Sequence, residues 1–151
     1  MLTAPKVCCF PFLDILQFRI GDERRITLST ALLAILIIII DQWSKYYIST
    51  HMWPGLSIPI VENIFHITYI LNPGAAFGIL KYKTGFFILI TIMLLVAAIY
   101  YYPRLPARAV LGRIGLGLLV GGAIGNLIDR IRLGVVIDFF DFRIWPIFNV
   151  A

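Results

Sequence analysis

Three long apolar stretches divide the chain. Ile26 to Ile40 carries no charge and ends in four consecutive isoleucines; continued through Asp41 to Tyr47, it reaches the about 20 residues that a spanning helix needs. Thr84 to Tyr102 is a second uncharged stretch, closed by Pro103. Ala109 to Ile128 is a third, with Arg113 close enough to one end for its head to snorkel to the interface. On this third stretch Gly117, Gly121 and Gly125 recur every four residues. A helix puts them on one face, where they permit either close approach of a neighbouring helix or a groove for a ligand.

Between and after these stretches the period changes. From His51 to Asn72, Pro54, Gly55 and Pro59 alternate with β-branched Ile58, Ile60, Val61, Ile64, Ile67 and Thr68, the pattern of short strands and turns. Trp43, Tyr46, Tyr47, Trp53 and Tyr69 supply interfacial aromatics there. Val135 to Phe148 is again β-branched and aromatic, with Pro146 marking a turn. The predicted architecture is an all-α polytopic membrane bundle of three spans carrying a small extramembrane β-platform. Residues 1–25 form a lead-in that reads either as an interfacial amphipathic stretch or as a poorly ordered tail, and residues 26–151 form the membrane domain.

Composition agrees: 60% of the 151 residues are hydrophobic and 14% are charged, against about 25% charged in soluble domains. The net charge of +5 does not point to nucleic acid, because no basic, aromatic-interleaved surface segment carries it. Lys6, Arg19, Arg24 and Arg25 precede the first span, and Arg104, Arg108 and Arg113 lie between the second and third. By the positive-inside rule both regions, and the N-terminus, face the cytoplasm, and Asp41 to Lys83 lies outside. No small-x-small site follows the isoleucines, so the first span reads as an anchor rather than a cleaved signal peptide. Cys8 and Cys9 are adjacent and on the cytoplasmic side, where a structural disulfide is not expected; they read as incidental rather than acylated.

The chemistry concentrates where polar groups interrupt apolar runs. Gly121 to Arg130 is a glycine-rich apolar segment that ends in Asn126, Asp129 and Arg130, and Asp138 follows among branched aliphatics. Ionisable groups at membrane depth are functional candidates by default. Asp41 and Lys45 stand at i and i+4 and can pair on one helix face. Ser44 next to Lys45 suggests a serine–lysine hydrolase, but adjacent helical positions diverge by about 100°. Asn126, Asp129 and Arg130 share the outer end of the third helix, with Asp129 and Arg130 readable as a buried pair. Asp138 has no basic neighbour in sequence, and its apolar flanks would raise its pKa towards the range of a general acid. Asp141 reads as an exposed strand residue. A single desolvated carboxyl does little, whereas two sharing a proton can act on water as acid and base. His51 and His66 lie in no ligand-spaced cluster and no phosphate-binding glycine loop is visible, so no metal or cofactor is expected.

These motifs together resemble the lipoprotein signal peptidases (signal peptidase II). Asp41-Gln42-Trp43-Ser44-Lys45 looks like the first signature of that family, and Asn72-Pro73-Gly74-Ala75-Ala76-Phe77-Gly78 like its extramembrane Asn-x-Gly-Ala-Ala-Phe segment. Gly121 to Arg130 resembles Gly-Asn-x-x-Asp-Arg, Val135 to Phe139 resembles Val-x-Asp-Phe, and Phe148-Asn149-Val150-Ala151 the start of Phe-Asn-x-Ala-Asp. The resemblance runs from about residue 26 to the end. It implies a four-helix aspartic endopeptidase of the bacterial inner membrane, with its active site at the outer face, that removes signal peptides from diacylglyceryl-modified prolipoproteins. It implies that Asp138 is one catalytic aspartate, that Asn72, Asn126, Arg130 and Asn149 line the substrate site, and that Asp41, Lys45 and Asp129 support its architecture. Its partners would be the prolipoprotein and membrane lipids.

The second aspartate of the family pattern would follow Ala151, as would the fourth span. With one member of the dyad, the 151-residue chain is expected to be proteolytically inactive. Two other classes remain open: a non-catalytic membrane protein that binds lipopeptide through Asn72, Asn126 and Arg130, and a small proton-conducting subunit that uses Asp129 and Asp138 as relays. No inverted repeat supports the latter.

Overall fold

The computed structural model describes residues 11–74, 80–106 and 108–151, with side chains described from Thr27 onward. Cys8, Cys9, the side chains of the lead-in and the Ala75–Gly78 part of the extramembrane motif lie outside the described residues. Helix α1 spans Pro11–His51, β1 Ser57–Val61, β2 Phe65–Asn72, α2 Thr84–Tyr101, α3 Val110–Leu133 and β3 Val136–Asp141, with a 3-10 turn at Tyr102–Arg104 after α2. Thr27–His51, Thr84–Arg104 and Val110–Leu133 are each long and apolar enough to cross a membrane. The protein is thus a multi-pass membrane bundle. Its outward rows, among them Leu32, Ile39, Leu89, Val96, Ile99 and Leu111, are exposed, as expected where lipid rather than protein covers apolar side chains.

α1 packs chiefly on α3, and the glycine stripe is the reason. A Cβ at Gly117 would lie 3.0 Å from the Thr30 carbonyl oxygen, and one at Gly121 would lie 2.8 Å from both the Ala34 carbonyl oxygen and Ile37 Cβ. The stripe therefore serves helix approach. Gly122, on the neighbouring face, has its missing side chain aimed at the Ala151 backbone, 2.7 Å away. Gly121→Ala is expected to force the two helices apart and cost about 1–3 kcal/mol, read as a lowered unfolding midpoint in detergent. Gly115→Ala, which would meet nothing within 4 Å, is the control that should lose nothing.

Strands form one antiparallel sheet in the order β1-β2-β3, from the two segments whose residue pattern reads as strand. β1 is exposed along its length and β3 is almost wholly buried. The platform is seated on the end of α1 by a cluster of Ile48, Met52, Tyr69, Ile137 and Phe139. At about 1.5–3 kcal/mol for each fully buried large apolar side chain, this seam fixes the sheet to the bundle.

Two helical features differ from expectation. α3 runs five residues past Ile128, to Leu133, because Asp129 and Arg130 find partners inside the fold and the helix stops only at Gly134, whose φ of 76° suits a left-handed cap. Arg113 does not snorkel. Its side chain is buried, with Nη2 donating to the Leu105 carbonyl at 2.9 Å and Nη1 to the Tyr102 hydroxyl at 3.3 Å.

Candidate active site

Close approach of α1 and α3 brings three charges together. Lys45 Nζ stands 2.8 Å from Asp41 Oδ2, one turn back on its own helix, and 2.8 Å from Asp129 Oδ2 on α3. A Cβ at Gly125 would sit 2.5 Å from Asp41 Oδ2, so the bare glycine backbone is what makes room for the carboxylate. Gln42 Nε2 donates to Asp41 Oδ2 at 3.1 Å, to Asp129 Oδ1 at 3.0 Å and to the Gly125 carbonyl at 3.1 Å. Asp41 and Lys45 are 0% and 2% exposed, which makes this a fully desolvated group. Asp129 therefore pairs with Lys45 and not with Arg130, because its carboxyl faces α1 across the helix contact. Ser44 Oγ donates to the Asp41 carbonyl at 2.8 Å, and the Lys45 amine is taken by other partners, so the two form no serine–lysine dyad.

The charged group continues as a chain of amides to Asp138. Lys45 Nζ donates to Asn126 Oδ1 at 3.0 Å, and Asn149 Nδ2 donates to the same oxygen at 3.1 Å and to Asp138 Oδ1 at 2.7 Å. From the other side Asn72 Nδ2 donates to Asp138 Oδ2 at 2.9 Å, while Asn72 Oδ1 accepts from the Gly74 backbone N–H at 2.9 Å. The local folding behind this is specific. The left-handed turn at Gly134 reverses the chain into β3, and Ile137 N–H donates to Asp129 Oδ2 at 3.2 Å. Phe148 then pairs antiparallel with Phe140, after a turn in which Arg143 takes a positive φ, and this return places Asn149 against Asp138. Burial pushes the Asp138 carboxyl up from its ordinary value, against the opposing pull of the Asn72 hydrogen bond, the Lys45 charge, the Asn149 hydrogen bond and the Arg130 charge.

Arg130 takes a separate position. Its Nη2 donates to the Gly74 carbonyl at 3.3 Å and its guanidinium lies 4.9 Å from the Phe87 ring centre. With Asn126 and Thr91 it gives polar lining to a largely apolar cavity of about 510 Å³ whose walls include Leu94, Leu118, Leu119 and Gly122. This volume lies within the roughly 300–1,000 Å³ of small-molecule sites. Asp138 is not in the cavity wall and meets it through Asn149 and Asn126. The five residues Asn72, Asn126, Arg130, Asp138 and Asn149 thus come together at the junction of sheet and bundle.

Asp141 is buried rather than exposed, because β3 lies between the bundle and β2. Thr68 Oγ1 donates to its Oδ2 at 2.8 Å, the Arg143 backbone N–H to its Oδ1 at 2.9 Å, and Arg143 Nη1 approaches Oδ2 at 3.1 Å. Burial alone would push this carboxyl up; the Arg143 backbone, the Thr68 hydroxyl and the Arg143 charge outweigh it and hold it below its ordinary value. The stability that Asp141 contributes is then full above the unfolded value of about 3.9 and lost as pH falls through the lowered folded value. The advantage in unfolding midpoint of wild type over Asp141→Asn is expected to be full at neutral pH and to shrink as pH falls through the lowered folded value.

Two of the residues that complete these arrangements, Gln42 and Thr68, carry weak signals in sequence. Gln42 stands next to a charged residue, and Thr68 is one of several β-branched strand positions.

A family model described as signal peptidase (SPase) II matches residues 33–151, the stretch that holds every residue of this junction. The chain belongs to the signal peptidase II family. As a signal peptidase II family member it is 50% identical over 120 residues to the lipoprotein signal peptidase of Moorella thermoacetica, with 80% of each chain covered. To the lipoprotein signal peptidase of Clostridioides difficile it is 44% identical over 122 residues, covering 80% of this chain and 82% of the relative. Two solved structures, both described as a bacterial membrane enzyme determined by the in meso method, superpose with a TM-score of 0.73 at 38% identity. They cover 81% of this chain and 77% and 81% of their own. Signal peptidase II membership makes the chain a membrane peptidase of lipoprotein processing.

Proposed function

We propose that the protein is an aspartic endopeptidase that removes the signal peptide from diacylglyceryl-modified prolipoproteins, with Asp138 as one of two catalytic carboxyls. The observation that carries this reading is the setting of Asp138: buried, held through both oxygens by the side-chain amides of Asn72 and Asn149, and pushed up in pKa. A carboxyl so placed keeps its proton to higher pH than an exposed one and can exchange it with an ionised partner. In the reaction, one carboxylate takes a proton from water as the water oxygen bonds to the scissile carbonyl carbon. The protonated carboxyl supports the developing oxyanion, and the departing amine leaves with a proton from the pair. The family pattern assigns the partner carboxyl to the position after Ala151, next to the chain held by the Ala151 N–H to Asn149 Oδ1 bond of 2.8 Å.

The cavity beside Asn126 and Arg130 suits a substrate that is apolar along its length and polar at the cleavage point. Arg130 and Asn126 would fix the backbone and ester oxygens of the lipidated peptide, and Asp41, Lys45 and Asp129 would hold the helices that carry them. Residues 26–151 form the peptidase unit. The bundle is oriented with Arg104, Arg108 and the α3 end that holds the buried Arg113 towards the cytoplasm and the sheet outside the inner membrane, as the distribution of positive charge favours.

The test is cleavage of a diacylated prolipoprotein reporter by two purified polypeptides. Residues 1–151 alone are expected not to cleave. The same residues followed by Asp and an apolar segment of about 20 residues are expected to cleave. Cleavage by residues 1–151 that is lost on Asp138→Asn would overturn the two-carboxyl assignment. Saturable binding of the diacylated peptide by the lengthened chain, without cleavage, would replace the enzyme with a binding protein.

A further inference from the structure

A second cavity, of about 500 Å³, lies between the three helices at the end of the bundle away from the sheet. Ala31 and Ala34 of α1, Leu95 and Ala98 of α2, and Leu116 and Val120 of α3 make its apolar walls, with Thr30 and Tyr102 at its outer rim. Tyr102 Oη donates to Thr30 Oγ1 at 3.2 Å and accepts from Arg113 Nη1 at 3.3 Å. The Arg113 guanidinium therefore stands one hydrogen bond from the rim.

Arg113 is 6% exposed, and its Nε is buried with no hydrogen-bond partner. Its hydrogen bonds go to neutral oxygens, those of Leu105 and Tyr102, and its guanidinium lies 5.1 Å from the Tyr102 ring centre. Every carboxylate whose side chain is described, namely Asp41, Glu62, Asp129, Asp138 and Asp141, belongs to the half of the molecule that carries the sheet. A buried guanidinium without an anion is costly, by several kcal/mol once water is excluded. Functional placement of Asp138 does nothing to relieve it.

We propose that this end of the bundle binds one anionic phospholipid, with the phosphate on Arg113 and an acyl chain in the cavity. Phosphate oxygens would satisfy Nε and supply the missing negative charge through charge-assisted bonds. A hydrocarbon chain fits a cavity with apolar walls that opens to a solvent that is itself hydrocarbon, and it restores the dispersion contacts that an empty space forfeits. Arg104 and Arg108 lie at the same end and repel a headgroup that carries an ammonium. On the orientation proposed above, the lipid belongs to the cytoplasmic leaflet, far from the peptide bond that is cut.

Native mass spectrometry of the detergent-purified protein, offered phosphatidylglycerol or phosphatidylcholine with the same acyl chains, tests this. One phosphatidylglycerol per protein is expected to survive, about 10-fold more tightly than phosphatidylcholine, and inorganic phosphate should not displace it. Arg113→Gln is expected to erase the preference, and Ala98→Phe, which fills the cavity, to abolish retention of both lipids. Equal retention of the two lipids by wild type would overturn the proposal. So would displacement by inorganic phosphate, which would mean a phosphate site only, retention unchanged in Arg113→Gln, or a second copy of the chain seated there in place of lipid. Should Arg113→Gln fail to fold, the wild-type comparisons and Ala98→Phe still decide.

Discussion

Asp138→Asn is expected to abolish prolipoprotein cleavage by the lengthened polypeptide of the cleavage test, by at least about 10³-fold, while the fold survives. Asn cannot alternate between proton acceptor and donor, so its half of the acid–base pair is lost. The effect on stability is the more discriminating part. Burial raises the folded pKa of Asp138, so the folded state binds its proton more tightly than the unfolded chain does. The resulting penalty is absent below the unfolded value of about 3.9 and grows as pH rises through the folded value. Asn removes that penalty at neutral pH. It also sets an amide N–H against the Nδ2 donor of Asn72 or Asn149, which costs about 1–3 kcal/mol unless one amide turns. The two effects oppose, and the unfolding midpoint should move little. An inactive variant with a near-wild-type midpoint assigns the loss to chemistry. Residual cleavage above about a tenth of wild type would remove Asp138 from the reaction.

Lys45→Met is expected to be the most destabilising single change in the bundle, by about 3–5 kcal/mol. It leaves Asp41 and Asp129 facing each other in a site 0% and 4% exposed, with only Gln42 bonded to both. It also removes one of the two donors that hold Asn126 Oδ1, leaving only Asn149, so activity should fall further than stability alone would carry it. By contrast, Arg143 is half exposed in its pair with Asp141, and ion pairs of that kind contribute no more than about 1 kcal/mol. Chemical unfolding of the two variants in the same detergent measures the difference. Similar losses for Lys45→Met and Arg143→Ala would show that the desolvated cluster is not what holds α1 to α3. A double variant that also carries Asp129→Asn should recover part of the loss, because one unpaired charge goes with it.

Much of this site was legible in one dimension because membranes make polar residues conspicuous. Asp41, Lys45, Asn126, Asp129, Arg130 and Asp138 interrupt apolar runs that have no other reason to contain them, and all six lie at one junction. The partners they choose were less legible. Asp129 and Arg130 are neighbours in sequence, yet they diverge on the helix and serve Lys45 and Gly74 respectively. Asp141 carries the same carboxyl as an exposed strand residue would; only its burial between β2 and the bundle, with Thr68 opposite, makes it structural. Arg113 looked close enough to an interface to reach it, and the packing of Tyr102 and Leu105 instead draws it inward.

The amino-acid sequence by itself determined the three spans, the two strand-forming segments, the glycine stripe and the family to which the chain belongs. Those properties depend on hydrophobic length, local period and short motifs, which neighbours along the chain are enough to specify. The tertiary structure alone decided which carboxyl meets which cation, that Asn149 returns to Asp138 through the Phe140–Phe148 pairing, and that the Arg113 guanidinium is buried at the far end with no carboxylate beside it among the described residues. Electrostatic partnership depends on distances across elements up to 87 residues apart, and on which groups lose their water when helices close. Neither quantity exists until the chain has folded.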